Sequence, residues 1–158
     1  MSRHKTRQRQ RAEARARDLA HRTIDEVDPP VWGQPPPDAT GLVIRCHELR
    51  RKRLDELTVE DLRLGIGQKI ALTHLVPLAV PILRASPLAE GNYYPGDLLN
   101  AVVGVDDGFW KANPGLTADV WGILTNLAED ASRDLDADVS RDLASATERF
   151  GALVGPTV

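Results

Sequence analysis

The fold of this chain is organised around the stretch Pro87-Leu-Ala-Glu-Gly-Asn-Tyr-Tyr-Pro-Gly-Asp-Leu-Leu-Asn-Ala-Val-Val-Gly-Val-Asp-Asp-Gly-Phe-Trp110. It holds both tyrosines, one of the two phenylalanines and one of the three tryptophans of the chain. Aromatic side chains bury large areas and can still present a polar group. A cluster of them beside carboxylates therefore predicts either the centre of a small core or a recognition surface, and composition does not separate the two.

The composition favours an all-α fold. Of the 158 residues 42% are hydrophobic and 27% charged, which is typical of a globular protein. Ala, Leu, Arg, Asp and Glu are abundant and β-branched residues are sparse, so we expect one compact multi-helix domain. Cys46 has no partner for an internal disulfide, and no apolar leader follows Met1. The longest apolar run, Leu75 to Leu83, is shorter than the roughly 20 residues that cross a bilayer, so we expect a cytoplasmic protein without membrane contact.

Charge is distributed unevenly along the chain. Residues 1–22 carry eight Lys and Arg against two acids, whereas the remainder carries twelve against twenty-one. This pattern predicts a basic arm attached to an acidic body, which attracts a basic partner and repels nucleic acid.

The organisation along the chain follows from this asymmetry and from proline. Residues 1–27 have high helix propensity but little apolar surface, which predicts a basic arm that is a flexible or loosely attached helix, or disordered. Residues 28–40 contain five prolines and form an extended linker, which Trp32 anchors. Residues 41–158 form the helical domain. The basic segment 1–22 is either a solvated tail or an arm for nucleic-acid phosphates, and it lacks aromatic residues for base stacking.

Local signals place several helix ends in the domain. Thr58 begins a helix that Gly67 ends, and Thr73 caps a helix that runs to Ala85. Asp97 caps a short helix to Val103, and Asp106 starts another that carries Trp110. The apolar stripe after Thr117 is too long for one helix, so we expect a break between Ser132 and Ser140.

Acidic residues recur in two places. Asp130, Asp134, Asp138 and Asp142 are spaced by four, which on a helix aligns their carboxylates on one ridge. Glu90, Tyr93, Asp106 and Asp107 lie in turns where packing alone does not require them. Both sets are either solvated surface or contacts to a cationic partner. Cys46 and His47 diverge on a helix, and His74 has no ligand-type neighbour in sequence, so we expect neither a metal site nor a cofactor.

Several short blocks follow one another in a specific order along the chain. They are Leu49-Arg-Arg-Lys52, Leu54, Leu57 to Arg63, Ile66-Gly-Gln68, Leu75-Val-Pro-Leu78, Pro87 to Gly91, Tyr94 to Leu99, and Phe109-Trp110. This order resembles the immunity proteins of contact-dependent growth inhibition (CDI) systems. The resemblance covers about residues 42–125, and the chain differs from the family pattern at Arg53, where proline is usual, and at Pro81.

The resemblance implies a protein that binds and neutralises a cognate toxin domain, often a nuclease, by stoichiometric occlusion and without catalysis. The alternative is a nucleic-acid-associated accessory protein that acts through residues 1–22. No sequence motif indicates an enzyme. The candidate toxin-binding residues are Glu90, Tyr93, Tyr94, Asp97, Asp106, Asp107, Trp110, Asp130, Asp134, Asp138 and Asp142.

Overall fold

The computed structural model describes residues 3–130 and 135–155. Within these ranges the chain forms α-helices and one 3-10 helix and no strand, which confirms the all-α prediction. No helix in these ranges is both long and apolar enough to cross a membrane. The helices are α1 (Arg3–Ala20), α2 (Ile24–Val27), α3 (Gly41–Arg50), the 3-10 helix (Leu54–Glu56), α4 (Val59–Gly67), α5 (Leu72–Ala85), α6 (Asp97–Val103), α7 (Asp107–Ala112), α8 (Pro114–Glu129) and α9 (Ala137–Val154).

The chain divides into two units, Met1–Thr58 and Val59–Val158. The first unit is built around the buried guanidinium of Arg50, at the end of α3. Its Nε lies 2.7 Å from Asp25 Oδ1 and its Nη1 3.0 Å from Asp28 Oδ2. Its Nη2 donates to the carbonyl oxygens of Asp28 and Pro30. A buried arginine is tolerated when its donors are satisfied in this way, and these bonds tie the proline-rich segment to α3.

Trp32 completes this arrangement. Its ring centroid lies 4.6 Å from the guanidinium carbon of Arg50 and 5.1 Å from the ring of His47. The Trp32 amide donates to Asp25, the carboxylate that also binds Arg50. The predicted anchoring role of Trp32 is therefore explained by a cation–π contact on top of a buried ion pair. Cys46 is buried beside this region, and burial raises the pKa of its thiol.

The end of α1 is also fixed within the first unit. Leu54 N donates to Arg22 O at 2.9 Å, and Ile24 N donates to Lys52 O at 3.2 Å. The Arg53 side chain bonds both Asp55 and His21. The guanidinium of Arg53 lowers the pKa of the Asp55 carboxyl, so this carboxylate remains ionised well into the acidic range.

The second unit is a layered helical core. Helix α4 packs against α5 and α6, α5 packs against α8, and α8 packs along α9. Leu75, Leu98 and Phe150 are among its fully buried side chains. Trp110 belongs to this core as well: its Nε1 donates to Val105 O at 2.9 Å and its ring meets Phe150 edge-on at 4.9 Å. One part of the sequence's aromatic cluster is therefore core.

Most helix bounds agree with the local signals, and two caps do not. Asp106 caps α7 as predicted, because its side chain accepts from Phe109 N. Helix α5 starts two residues earlier than expected, after Ala71 in a left-handed conformation (φ 45°), so Thr73 is inside the helix. Gly96, not Asp97, precedes α6. A break in the last apolar stripe is confirmed, but it comes earlier than the predicted Ser132 to Ser140, since α8 ends at Glu129 and α9 begins at Ala137.

We expect Arg50→Ala to lower the free energy of unfolding of the first unit by about 3–5 kcal/mol, because it leaves buried Asp25 without its cation. The matched control is Arg51→Ala, the next residue, whose exposed guanidinium donates to Gly33 O at 3.2 Å. Its expected change is within about 0.5 kcal/mol. Urea unfolding followed by circular dichroism distinguishes them, and equal midpoints for the two variants would contradict the role assigned to Arg50.

Candidate functional site

The second unit presents a rigid surface turn, residues 90–97, which we call the Tyr93 turn. Asp97 sits at its end, and the carboxylate of Asp97 is buried. One oxygen accepts from Gly91 N at 2.7 Å and the other from Tyr93 N at 3.1 Å. The side chain of Asp97 therefore folds the turn back on itself instead of capping α6.

Glu60, on α4, supplies a second carboxylate to the same turn. Its Oε2 accepts from Asn92 N at 2.8 Å. Both of its oxygens also accept from Arg63, at 2.7 and 2.6 Å, in a fork-to-fork pair that is largely buried. The hydrogen bonds that Arg63 donates to Glu60 raise the pKa of Arg63, so Arg63 stays charged. Three consecutive amides of the turn are thus held by two carboxylates from different helices.

Tyr93 is the residue that this arrangement presents. Its ring centroid lies 4.5 Å from the guanidinium carbon of Arg63, yet 61% of the residue is exposed. The ring stacks on the guanidinium of Arg63, which Glu60 in turn holds through two hydrogen bonds. An exposed aromatic side chain with a fixed orientation loses little conformational entropy when it binds a partner.

Gly91 is required by the close approach of these groups. A Cβ at this position would lie 2.5 Å from Glu60 Oε2 and 3.0 Å from Asp97 Oδ2. Either carboxylate would have to move, and with it an amide of the turn. Gly96 adopts φ +92°, a left-handed conformation that also favours glycine.

A polar groove runs between α6 and α9 on the same unit. Tyr94 marks one end, where its hydroxyl accepts from Asn100 Nδ2 at 2.7 Å. A cavity of about 340 Å³ continues from Asn100 past Asp142 to Arg149. Asp142 is exposed and, among the residues the structure describes, has no ion-pair or hydrogen-bond partner. Its carboxylate is open to a cation from another molecule.

The far end of this groove is partly neutralised. Arg149 Nη2 donates to Val105 O at 2.8 Å, and Arg149 Nε lies 3.0 Å from Asp107 Oδ1. The angle of the Nε contact does not satisfy a hydrogen bond, so charge attraction is its main contribution. Asp107 therefore already has a cationic partner within the chain, unlike Asp142.

The structure separates the predicted contact residues into groups. Tyr93 and Tyr94 lie in the Tyr93 turn, and Asp142 lines the groove between α6 and α9. Glu90 is exposed in the turn, where its backbone forms an isolated antiparallel β-bridge with Pro95. Asp97 and Trp110 are buried. The Asp97 side chain binds amides of the turn, and the Trp110 side chain packs in the core. Asp106 is occupied as a helix cap.

The predicted ridge of four carboxylates is not formed as such. Asp130 follows the end of α8, whereas Asp138 and Asp142 lie on α9. Asp134 lies outside the described residues. Of the three aspartates that the structure describes, Asp138 and Asp142 share a helix face at the predicted spacing, and Asp138 pairs with Arg141 at 3.2 Å.

Several residues that give the site its shape carry no local signal in the sequence. Glu60, Arg63, Gly91, Asn100 and Arg149 were not among the candidates. Glu60 is 32 positions from Asn92, and no local pattern predicts such a pairing. Within the described ranges no cluster of His, Cys, Asp or Glu has the geometry of a metal site.

A family model described as CDI immunity proteins matches residues 26–120, more than half of the chain. The chain belongs to the CDI immunity proteins. Among curated proteins no significant match is found. Membership of this family implies that the chain neutralises a CDI toxin, which is its cognate partner. Members of the family generally act as inhibitors and not as enzymes.

The family match relates to the two parts of the site differently. It includes α4 and the whole Tyr93 turn, together with α6 and α7. It ends inside α8, so α9 and its two aspartates lie beyond it, as does α1 at the other end. In this immunity protein the Tyr93 turn belongs to the region that the family model matches. Asp138 and Asp142 of α9, which we call the acidic wall, lie outside it.

We expect Gly91→Ala to destabilise the second unit by about 1–3 kcal/mol, because the added methyl group displaces a carboxylate from the turn. Gly67→Ala is the matched control, since nothing lies within 4 Å of the position of its added Cβ. That substitution is expected to be neutral or to stabilise the end of α4 by up to about 1 kcal/mol. Thermal unfolding of both variants checks this, and a Gly91→Ala protein as stable as the parent would show that the turn is not closely constrained.

Proposed function

We propose that this CDI immunity protein blocks its toxin by stoichiometric binding through the Tyr93 turn and the α6–α9 groove, without chemistry of its own. The cognate toxin is a nuclease with a basic active site or substrate groove, and the complex forms in the cytoplasm. The observation that carries the proposal is the exposed Tyr93 ring, which two carboxylates and Arg63 hold in one orientation.

The support for Tyr93 as the anchor is energetic. Binding hot spots are enriched in Tyr, Trp and Arg, and they are strongest where the side chain is already ordered before binding. Tyr93 lies directly over Arg63, so a partner that covers the ring also covers a fixed cation–π pair. The surrounding turn is held by three backbone hydrogen bonds, which limits the conformational entropy that binding would cost.

The support for a basic partner is electrostatic. Outside residues 1–22 the chain has a formal charge of about −9. A net charge of this sign speeds encounter with a cationic surface. In the proposed complex, Asp142, which has no partner in the described part of the chain, and the exposed Asp138 would take the place of substrate phosphates in the toxin's basic groove. Such mimicry requires acids on the surface and no catalytic group.

The direct test uses the toxin domain encoded in the adjacent reading frame. Co-expression with this protein is expected to restore growth, and the two chains are expected to co-purify in a one-to-one complex. Continued growth arrest together with the absence of a complex would rule out the toxin-binding function for that pair.

Replacing Tyr93 by alanine is expected to weaken toxin binding at least tenfold, mainly through faster dissociation. Tyr93→Phe separates the ring from the hydroxyl, and it retains most of the affinity if stacking on Arg63 is what matters. Val31→Ala is the control, since Val31 is an exposed apolar residue of the other unit (67% exposed). Biolayer interferometry gives both rate constants. An unchanged dissociation rate for Tyr93→Ala would place the anchor elsewhere.

The acidic wall is tested by the double variant Asp138→Asn with Asp142→Asn. We expect the association rate to fall about threefold to tenfold at low ionic strength, with little change in dissociation, because these charges act mainly on encounter. The difference should disappear at high salt. The charge-matched control is Asp38→Asn with Glu48→Gln, two exposed acids of the first unit. Equal effects in the two pairs would mean that only net charge matters.

A further inference from the structure

Helix α1 carries its cations in a regular row. Arg3, Arg7, Arg11 and Arg15 are spaced by four residues, so they follow one another along one ridge of the helix. Their α carbons rise about 6 Å at each step, because an α-helix advances about 1.5 Å per residue. All four are exposed, and α1 has no buried residue. We call this row the arginine ridge.

The arginine ridge is unfavourable in the free protein. Like charges four residues apart repel on a helix, and cations in the first turn oppose the helix dipole. Within residues 3–130 and 135–155, the ion pairs made by α1 are Arg9 with Glu13 and Arg22 with Asp18. None of the four ridge arginines has an acidic partner there. A helix that is only solvated typically mixes the two signs, and this row does not.

The ridge is nevertheless held in place at its base. Backbone hydrogen bonds join Arg22 to Leu54 and Ile24 to Lys52, immediately after α1. Ile24 is fully buried in the first unit. The basic segment is therefore a formed helix that a folded unit carries, which is suited to binding an extended ligand along its length.

We propose that the arginine ridge binds the phosphate backbone of double-stranded nucleic acid, without sequence preference. This inference goes beyond toxin binding and does not depend on it. Guanidinium groups pair with phosphate oxygens through two parallel hydrogen bonds, and each contact releases counterions. A row of evenly spaced cations matches a polymer whose charges are also evenly spaced.

The composition of α1 favours a duplex over other anionic partners. A protein interface needs buried apolar or aromatic anchors, and a membrane-surface helix needs an apolar face. Leu19 is the one large apolar residue of α1; it follows Arg15 in the same row, and a single apolar side chain does not make an apolar face. A single strand is held largely by stacking on aromatic side chains, and α1 contains none. The B-form major groove is about 12 Å wide and admits an α-helix.

The test is fluorescence anisotropy of the full-length chain with labelled duplexes of about 20 base pairs. Duplex DNA, duplex RNA and a single strand are the three arms. With four phosphate contacts the affinity for duplex DNA should fall about a hundredfold between roughly 50 and 200 mM salt. Binding to either duplex, tighter than to the single strand, supports the proposal, and the better duplex identifies the source of the phosphates.

The deciding variant replaces Arg3, Arg7, Arg11 and Arg15 with glutamine, which keeps helix propensity. We expect at least a tenfold loss of affinity and a much weaker salt dependence. The charge-matched control replaces Lys5, Arg9, Arg45 and Lys111 with glutamine, and it should lose less than threefold. Equal losses in both variants would overturn the ridge as the site. No binding by the parent chain at low salt, or competition by polyglutamate as strong as that by duplex, would overturn nucleic-acid recognition.

Discussion

The exposed face of the second unit depends on two carboxylates that bind three consecutive backbone amides. Asp97 accepts from Gly91 and Tyr93, and Glu60 accepts from Asn92. A turn of this kind has no ladder or helix to satisfy its N–H groups, and unpaired donors near a core are costly. The carboxylates meet this requirement and at the same time fix the direction of the chain. The orientation of Tyr93 is a consequence of this backbone bonding.

The two units attach an irregular segment to a helix through similar interactions. In each, a segment rich in proline or glycine is attached to a helix by an arginine–carboxylate pair with an aromatic ring stacked on the arginine. Arg50, Asp25 and Trp32 do this in the first unit, and Arg63 with Glu60 and Tyr93 in the second. The two stacked aromatic rings have different roles. Trp32 stacks on a fully buried arginine and fixes a segment, whereas Tyr93 stacks on a partly exposed one and is left for a partner.

Local physics made most helices predictable from sequence, and long-range contacts made the site largely unpredictable. The cap at Asp106 and the helix end at Gly67 depend on residues within a few positions of each other. Asp97 has the same local signature as Asp106, yet its carboxylate turns back to Gly91, because the preceding turn offers free amides. The spacing of four aspartates was visible, but the helix break that divides them was only partly located. Tyr93 and Trp110 were equal candidates until packing separated a surface residue from a core residue.

The distribution of charge in the site assigns different tasks to its parts. Asp107 is already compensated by Arg149, and Asp138 by Arg141, so each gains less from a partner's cation. Asp142 is the groove carboxylate that gains most from a new cation. Exposed charges such as these act over a Debye length of about 8 Å and so influence encounter, whereas a ring must be covered before it contributes. If the Tyr93 contact sets the lifetime of the complex and the aspartates set its rate of formation, toxins that share charge but not a pocket for Tyr93 would be met quickly and released quickly. Discrimination between toxins would then reside in the turn that Asp97 and Glu60 hold.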